Sequence, residues 1–193
     1  MYVIFEGVDT SGKSTQVELF SQREQNVVVT KEPGGTHLGV KLREILLQSE
    51  EKLSFTAELL LFLADRAEHF EKVVKPNQQK IIISDRGFIS GIAYALANNS
   101  HISLDFLISL NRFALGEHLP QKVVLFKTDY ELITTRLGNK QRDTIEQRGI
   151  EYLLRVQSLM EDVLKSLHID YLAIDANHKI EDIYKQIQEY IYR

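Results

Sequence analysis

The residues most able to do chemistry come first in the chain. Gly7, Val8, Asp9, Thr10, Ser11, Gly12, Lys13 and Ser14 match the pattern G-x-x-x-x-G-K-[ST], and Thr15 follows. Glycines permit a tight turn whose backbone N–H groups gather at the positive end of a helix, where they can surround nucleotide phosphates. The spacing places Lys13 toward the β- and γ-phosphates of a nucleoside triphosphate and the Ser14 hydroxyl on Mg²⁺. The other reading, a glycine-rich strand-to-helix turn with a solvated lysine, is disfavoured because an apolar strand precedes the pattern and a helix follows it.

A second carboxylate fits that site. Ile81-Ile82-Ile83-Ser84-Asp85-Arg86 sets Asp85 at the carboxyl end of an apolar strand, where a Walker-B aspartate approaches the metal shell. Alone, such an aspartate is more often a helix cap, but the phosphate loop reverses that preference.

Fold does not distinguish a GTPase switch, an ATP-driven machine and a small-molecule kinase, so an acceptor site must. Asn139-Lys140-Gln141-Arg142-Asp143 misses the base-reading motif N-K-x-D of GTPases by one residue, and no strand precedes it. A nucleotide kinase needs arginines for an acceptor phosphate and an aromatic face for its base. Arg43, Phe62, Arg66, Arg86 and Tyr94 are candidates; Phe62 with Arg66, Arg86 with Ser90, and Ser90 with Tyr94 are i,i+4 neighbours. Phe62 alone reads more readily as a core residue of a leucine-rich helix.

Positioning these groups requires regular alternation of strand and helix. Short apolar runs predict strands at 2–6, 27–31, 80–84, 121–127 and 170–174. Helical patterns fall at 13–25, 37–48, 53–75, 87–98, 103–115, 129–137, 144–167 and 179–191, giving an α/β chain with a five-stranded parallel sheet between helical layers. The three prolines, Pro33, Pro76 and Pro120, stand at element boundaries, so residues 1–193 read as a single domain. A polar segment at about 137–143 is expected to act as a short lid.

The 23 Lys and Arg against 27 Asp and Glu leave a formal charge of −4, which argues against a nucleic-acid polymer or an anionic membrane as partner. Cysteine is absent, and the longest apolar run, Leu59 to Ala64, is far short of the roughly 20 residues that span a bilayer. A cytoplasmic protein is expected. The six histidines show no metal-ligand spacing.

Longer stretches resemble the thymidylate kinase family along essentially the whole chain. These are Phe5-Glu6-Gly7-Val8-Asp9, Thr30-Lys31-Glu32-Pro33-Gly34-Gly35-Thr36, Leu42-Arg43, Glu58 through His69 with its F-x-A-D-R-A-x-H core, Asp85-Arg86, Ser90, Ala93-Tyr94, and Asp143-Thr144-Ile145-Glu146. The resemblance implies a P-loop NTPase-type three-layer fold, ATP as donor with Mg²⁺, dTMP as acceptor, and a homodimer formed through helices. It further implies that Phe62 stacks on thymine, Arg66 hydrogen-bonds the base, and Arg43 and Arg86 hold the dTMP phosphate. Asp9 would meet the sugar 3′-hydroxyl or the metal shell, Tyr94 would crowd the 2′ position, and Glu32 with Pro33 would shape the site near Asp9. Another deoxynucleoside monophosphate as acceptor, or a switch without kinase activity, remain the alternatives.

The chain also departs from the family pattern. Gly87 stands where many relatives carry an aromatic residue, and Gly91 replaces a polar residue that touches thymine in some of them, so the base pocket is expected to be wetter or built by other residues. The phosphate loop has no arginine, and the catalytic cation is therefore expected from the lid: Arg142 first, Arg136 second, with Arg148 a structural charge and Glu146 either a helix cap or functional.

Overall fold

Strands that are covered on both faces must be apolar throughout, and the central strand of this sheet is buried at every residue. The computed structural model describes residues 1–48, 52–138 and 149–193. β1 (Tyr2–Glu6), β2 (Val27–Lys31), β3 (Ile81–Asp85), β4 (Lys122–Lys127) and β5 (Tyr171–Asp175) form one parallel sheet in the order β2-β3-β1-β4-β5. The helices are α1 (Lys13–Arg23), α2 (His37–Gln48), α3 (Phe55–His69), α4 (Phe88–Asn98), α5 (Leu104–Ala114), α6 (Tyr130–Leu137), α7 (Ile150–Leu167) and α8 (Ile180–Tyr192). Fold class and strand positions agree with the sequence expectation.

Successive strand residues point to opposite faces, which divides the core in two. Tyr2, Ile4, Ile82, Val123 and Leu125 pack beneath α4, α5 and α7. Val3, Phe5, Ile83, Val124 and Phe126 pack against α1 and α8. In the second core the rings of Phe5 and Phe20 meet edge to face at 5.9 Å. Truncating either to alanine is expected to destabilise the fold by roughly 3–5 kcal/mol.

One helix ends differently from its pattern. The apolar spacing predicts a helix over 53–75, but α3 stops at His69 and continues as a π-helical turn, Phe70–Val74, then a 3₁₀ turn, Lys75–Asn77. Phe70 and Val74 stay buried through the wider turn, so the apolar spacing survives where the backbone geometry changes. Pro76, which lacks an N–H, closes the segment. The expected helix over 144–167 is seen from Ile150, and most of the 137–143 segment lies outside the described residues, with Lys140, Arg142, Glu146 and Arg148.

Register then decides where the loops meet. Phe5 lies opposite Asp85, Glu6 opposite Leu125, and Lys31 opposite Asp85, so the loops leaving β1, β2 and β3 share the carboxyl edge of the sheet. That edge is where ligands bind in open parallel sheets.

Candidate active site

The phosphate loop is shaped by its glycines. At Gly7 (φ 147°) a Cβ would lie 2.7 Å from the carbonyl oxygen of Phe126, so no side chain fits between β1 and β4. Gly12 adopts φ 92° immediately before α1, turning the chain so that the helix N-terminus faces the loop. Thr10, β-branched, also holds a positive φ of 66°, a strained geometry of the kind that functional loops retain.

Inside the loop, Lys13 Nζ donates to the carbonyl of Val8 at 2.9 Å and to Ser11 Oγ at 3.5 Å. Burial, with the nearby Arg86 charge, pushes the Lys13 ammonium down to about 8, against the attraction of Asp85, Asp9 and Glu6. Ser14 Oγ donates to Asp85 Oδ2 at 2.7 Å across 71 positions of sequence. A hydroxyl and a carboxylate in contact at the start of α1 fit the oxygen ligands that Mg²⁺ takes.

Arg86 connects this loop to the neighbouring cleft. Its Nη1 donates to the carbonyl of Gly7 at 2.7 Å and to Ser90 Oγ at 3.3 Å, and its Nη2 donates to Asp9 Oδ1 at 2.6 Å. Burial works against the charge, but Asp9, Tyr94, Asp85 and Glu6 outweigh it and hold the guanidinium pKa above its ordinary range. Its backbone has φ 71°, a second strained position in the site. Behind it, Ser90 donates from both its N–H and its hydroxyl to the buried Glu6 carboxylate. Burial raises the pKa of Glu6, and the two Ser90 bonds oppose that rise.

α3 holds the loop that leaves β2. Glu32 Oε2 accepts from Arg66 Nε at 2.9 Å, and Glu32 Oε1 lies 2.7 Å from His69 Nδ1. His69 Nε2 lies 2.7 Å from Thr30 Oγ1, so its ring links the end of β2 to the carboxylate of the loop that follows it. Burial alone would raise the Glu32 pKa, but Arg66 and His69 prevail and keep it below the usual carboxylate value. One turn away, Asp65 Oδ1 accepts from the N–H of Gly34 at 3.0 Å. Burial, followed by the Glu32 charge, raises Asp65 to about 6. Arg43 of α2 donates to the carbonyl of Pro33 at 3.0 Å.

One cleft of about 970 Å³, open mouth included, adjoins these groups. Asp9, Glu32, Pro33, Arg43, Phe62, Arg66, Arg86, Ser90 and Tyr94 all line it. Phe62 belongs to neither core cluster and is only half buried, so its ring is part of the cleft wall. The Arg86 guanidinium carbon sits 6.0 Å from the centre of the Tyr94 ring. Arg136 lies at the phosphate loop instead, donating at 2.8 Å to the carbonyls of Thr10 and Ala176. Arg142 lies outside the described residues.

The sequence reading left several lining residues unassigned. Phe55 and Leu59 continue the Phe62–Arg66 stripe of α3 at spacings of four, three and four, a pattern readable from sequence. Asn111 was marked only by being polar on the otherwise apolar buried stripe of α5. Asp65 and His69 stood in the recognised motif without a role.

A family model described as "Thymidylate kinase" matches residues 5–187, which include the phosphate loop, the whole cleft and all of the sheet but the first three residues of β1. The chain belongs to the thymidylate kinase family. It is 54% identical over 191 residues to a thymidylate kinase of Sulfurovum sp. (strain NBC37-1), covering 99% of each chain. It is 55% identical over 192 residues to that of Campylobacter concisus (strain 13826), covering 99% of this chain and 98% of the relative. The crystal structure of thymidylate kinase from Ehrlichia chaffeensis superposes with a TM-score of 0.78 at 28% identity, covering 99% and 98% of the two chains.

Two departures from the thymidylate kinase pattern have local causes. A Cβ at Gly87 would stand 3.1 Å from the Ile4 side chain, and one at Gly91 would stand 3.2 Å from Arg66 Nη2. Both glycines thus leave room for a side chain from another element.

Proposed function

We propose that the chain transfers the γ-phosphoryl group of ATP to the phosphate of dTMP, giving dTDP and ADP. Arg86 carries this reading: one guanidinium bonds the donor loop at Gly7 and Asp9 and also lines the acceptor cleft, so it can serve both phosphate chains. The N–H groups of the loop and Lys13 hold the ATP phosphates. Arg43 and Arg86 hold the dTMP phosphate, for which a guanidinium fork is better suited than an ammonium. Phe62 supplies a stacking face, Arg66 with Glu32 and Pro33 shapes the base end, Ser90 orients Arg86, and Tyr94 limits space at the sugar. Mg²⁺, held by Ser14 and Asp85, would neutralise charge on the transferred group.

The acceptor is already an anion, so its oxygen attacks the γ-phosphorus while the bond to the β–γ bridging oxygen breaks, and no proton has to be removed first. Positioning and charge neutralisation supply the rate. Arg142 and Arg136 are the candidates for the additional cation.

The same proposal covers residues 1–193 acting as one catalytic domain, the cytoplasm as its location, and a second copy of the chain as partner. Among the described residues no helix is long and apolar enough to cross a membrane. Leu38 and Ile45 of α2 and Leu60 of α3 are large, apolar and exposed on neighbouring helices, which favours a partner on that face.

ADP release measured across dTMP, dUMP, dCMP and dGMP tests the reading. The highest kcat/KM is expected for dTMP. A different best acceptor would make this a kinase of another deoxynucleotide, and turnover that ignores the acceptor would make it a nucleotide switch.

A further inference from the structure

Arg66 does not reach the cleft unaided. It is 3% exposed, and its guanidinium is gripped from three other elements. Nε donates to Glu32 in the loop after β2. Nη1 donates at 2.7 Å to Asn111 Oδ1 on α5. Nη2 and Nη1 rest against Gly91 of α4, where a Cβ would come to 3.2 and 3.3 Å.

Asn111 is itself fixed. It is 1% exposed, and its Nδ2 donates to the carbonyl of Leu107 at 2.7 Å, so its oxygen faces the guanidinium. A flipped amide would set donor against donor at Arg66 and acceptor against acceptor at Leu107. Of the five N–H donors of Arg66, one is taken by Glu32 and one by Asn111. The Nη2 end is left against a glycine on the cleft wall.

We infer that Asn111 is a positioning residue for base selection, acting through Arg66, and that Gly91 provides the space in which the guanidinium lies. Glu32 balances the Arg66 charge, so the remaining donors suit a neutral acceptor rather than a phosphate. A 4-keto pyrimidine presents such an acceptor, whereas a 4-amino pyrimidine presents a donor and is rejected. This inference rests on the dTMP kinase reading.

The test compares Asn111→Leu, Asn111→Asp and Gly91→Ala with the wild-type protein, measuring KM for dTMP, KM for ATP, and the dTMP-to-dCMP ratio of kcat/KM. A hydrogen bond to a charged group is expected to shift the dTMP KM about tenfold when lost. Asn111→Leu should therefore raise KM for dTMP and lower the dTMP-to-dCMP ratio about tenfold, with KM for ATP changing less than twofold. Asn111→Asp keeps the acceptor for Arg66 but sets an oxygen against the Leu107 carbonyl, so it should recover the ratio only in part, and more than Asn111→Leu does. Gly91→Ala, whose added methyl meets only the end of a flexible side chain, should fold normally and lower the ratio in the same direction. A ratio within twofold of wild type in Asn111→Leu and Gly91→Ala would overturn the inference and leave Asn111 purely structural. If Asn111→Leu does not fold, Gly91→Ala decides alone. A wild-type protein that prefers another monophosphate would defeat the kinase reading instead.

Discussion

Arg86 Nη2 lies 2.6 Å from Asp9 Oδ1, and this bond, with that to the Gly7 carbonyl, ties the end of β3 to the phosphate loop after β1. Lysine, with one nitrogen, cannot keep the contacts to Asp9, Gly7 and Ser90 together. Arg86→Lys should lower kcat by about 10²–10³, the range for losing a preorganised donor at developing charge. Steady-state kinetics at saturating ATP and dTMP check this, and a loss of only a few-fold would remove Arg86 from the reacting centre.

Lys13, pushed down to about 8 by burial, makes nucleotide binding pH-dependent. At pH 8 it is about half protonated in the free protein, and bound phosphates restore its charge, so ATP binding should take up about half a proton. Calorimetric titration in two buffers of different ionisation enthalpy measures this, and Lys13→Arg should abolish it. The unfolded chain binds more protons than the folded one between about pH 8 and 10. The Lys13 contribution to stability therefore rises over that window.

Asp65 works in the opposite sense. Its pKa is raised to about 6, above the unfolded value, so the folded protein binds more protons between about pH 4 and 6. Its contribution is greatest below pH 4 and falls as pH rises through 6. Asp65→Asn keeps the acceptor for the Gly34 N–H without titrating. The variant should gain on wild type by on the order of 2 kcal/mol between pH 4 and 7. Denaturant melts at several pH values would show parallel curves if Asp65 were ordinary.

Arg136 is exposed on α6 yet bonded to the carbonyl of Thr10, beside the donor loop. Arg136→Ala and Arg142→Ala, compared in kcat, should identify the extra cation through a loss of at least about 10³ in one of them. Unchanged turnover in both would place that charge elsewhere.

Local patterns were legible and remote meetings were not. β1 could be read to the residue because a strand buried on both faces is a continuous apolar run, and β2, partly exposed at the sheet edge, because three successive valines favour a strand. The end of α3 was misplaced because Phe70 and Val74 keep helical spacing while the backbone widens to a π-turn. The phosphate loop is contiguous and so announced itself. Asn111 meets Arg66 across 45 positions, and nothing in the local pattern of α5 says which side chain its amide faces. Ser14 and Asp85, 71 positions apart, could be paired only because each belongs to a motif with a known partner type.

The sheet order has a consequence for how such a protein can change over generations. The loop that cradles the donor leaves β1, the middle strand, flanked by β3 and β4 and buried throughout, whereas the loop carrying Glu32 and Pro33 leaves β2 at the sheet's edge. Substitutions around β2, α3 and α5 can remodel what is accepted without disturbing what is donated. Drift in acceptor choice is therefore cheap for this architecture, and drift in the phosphate donor is not.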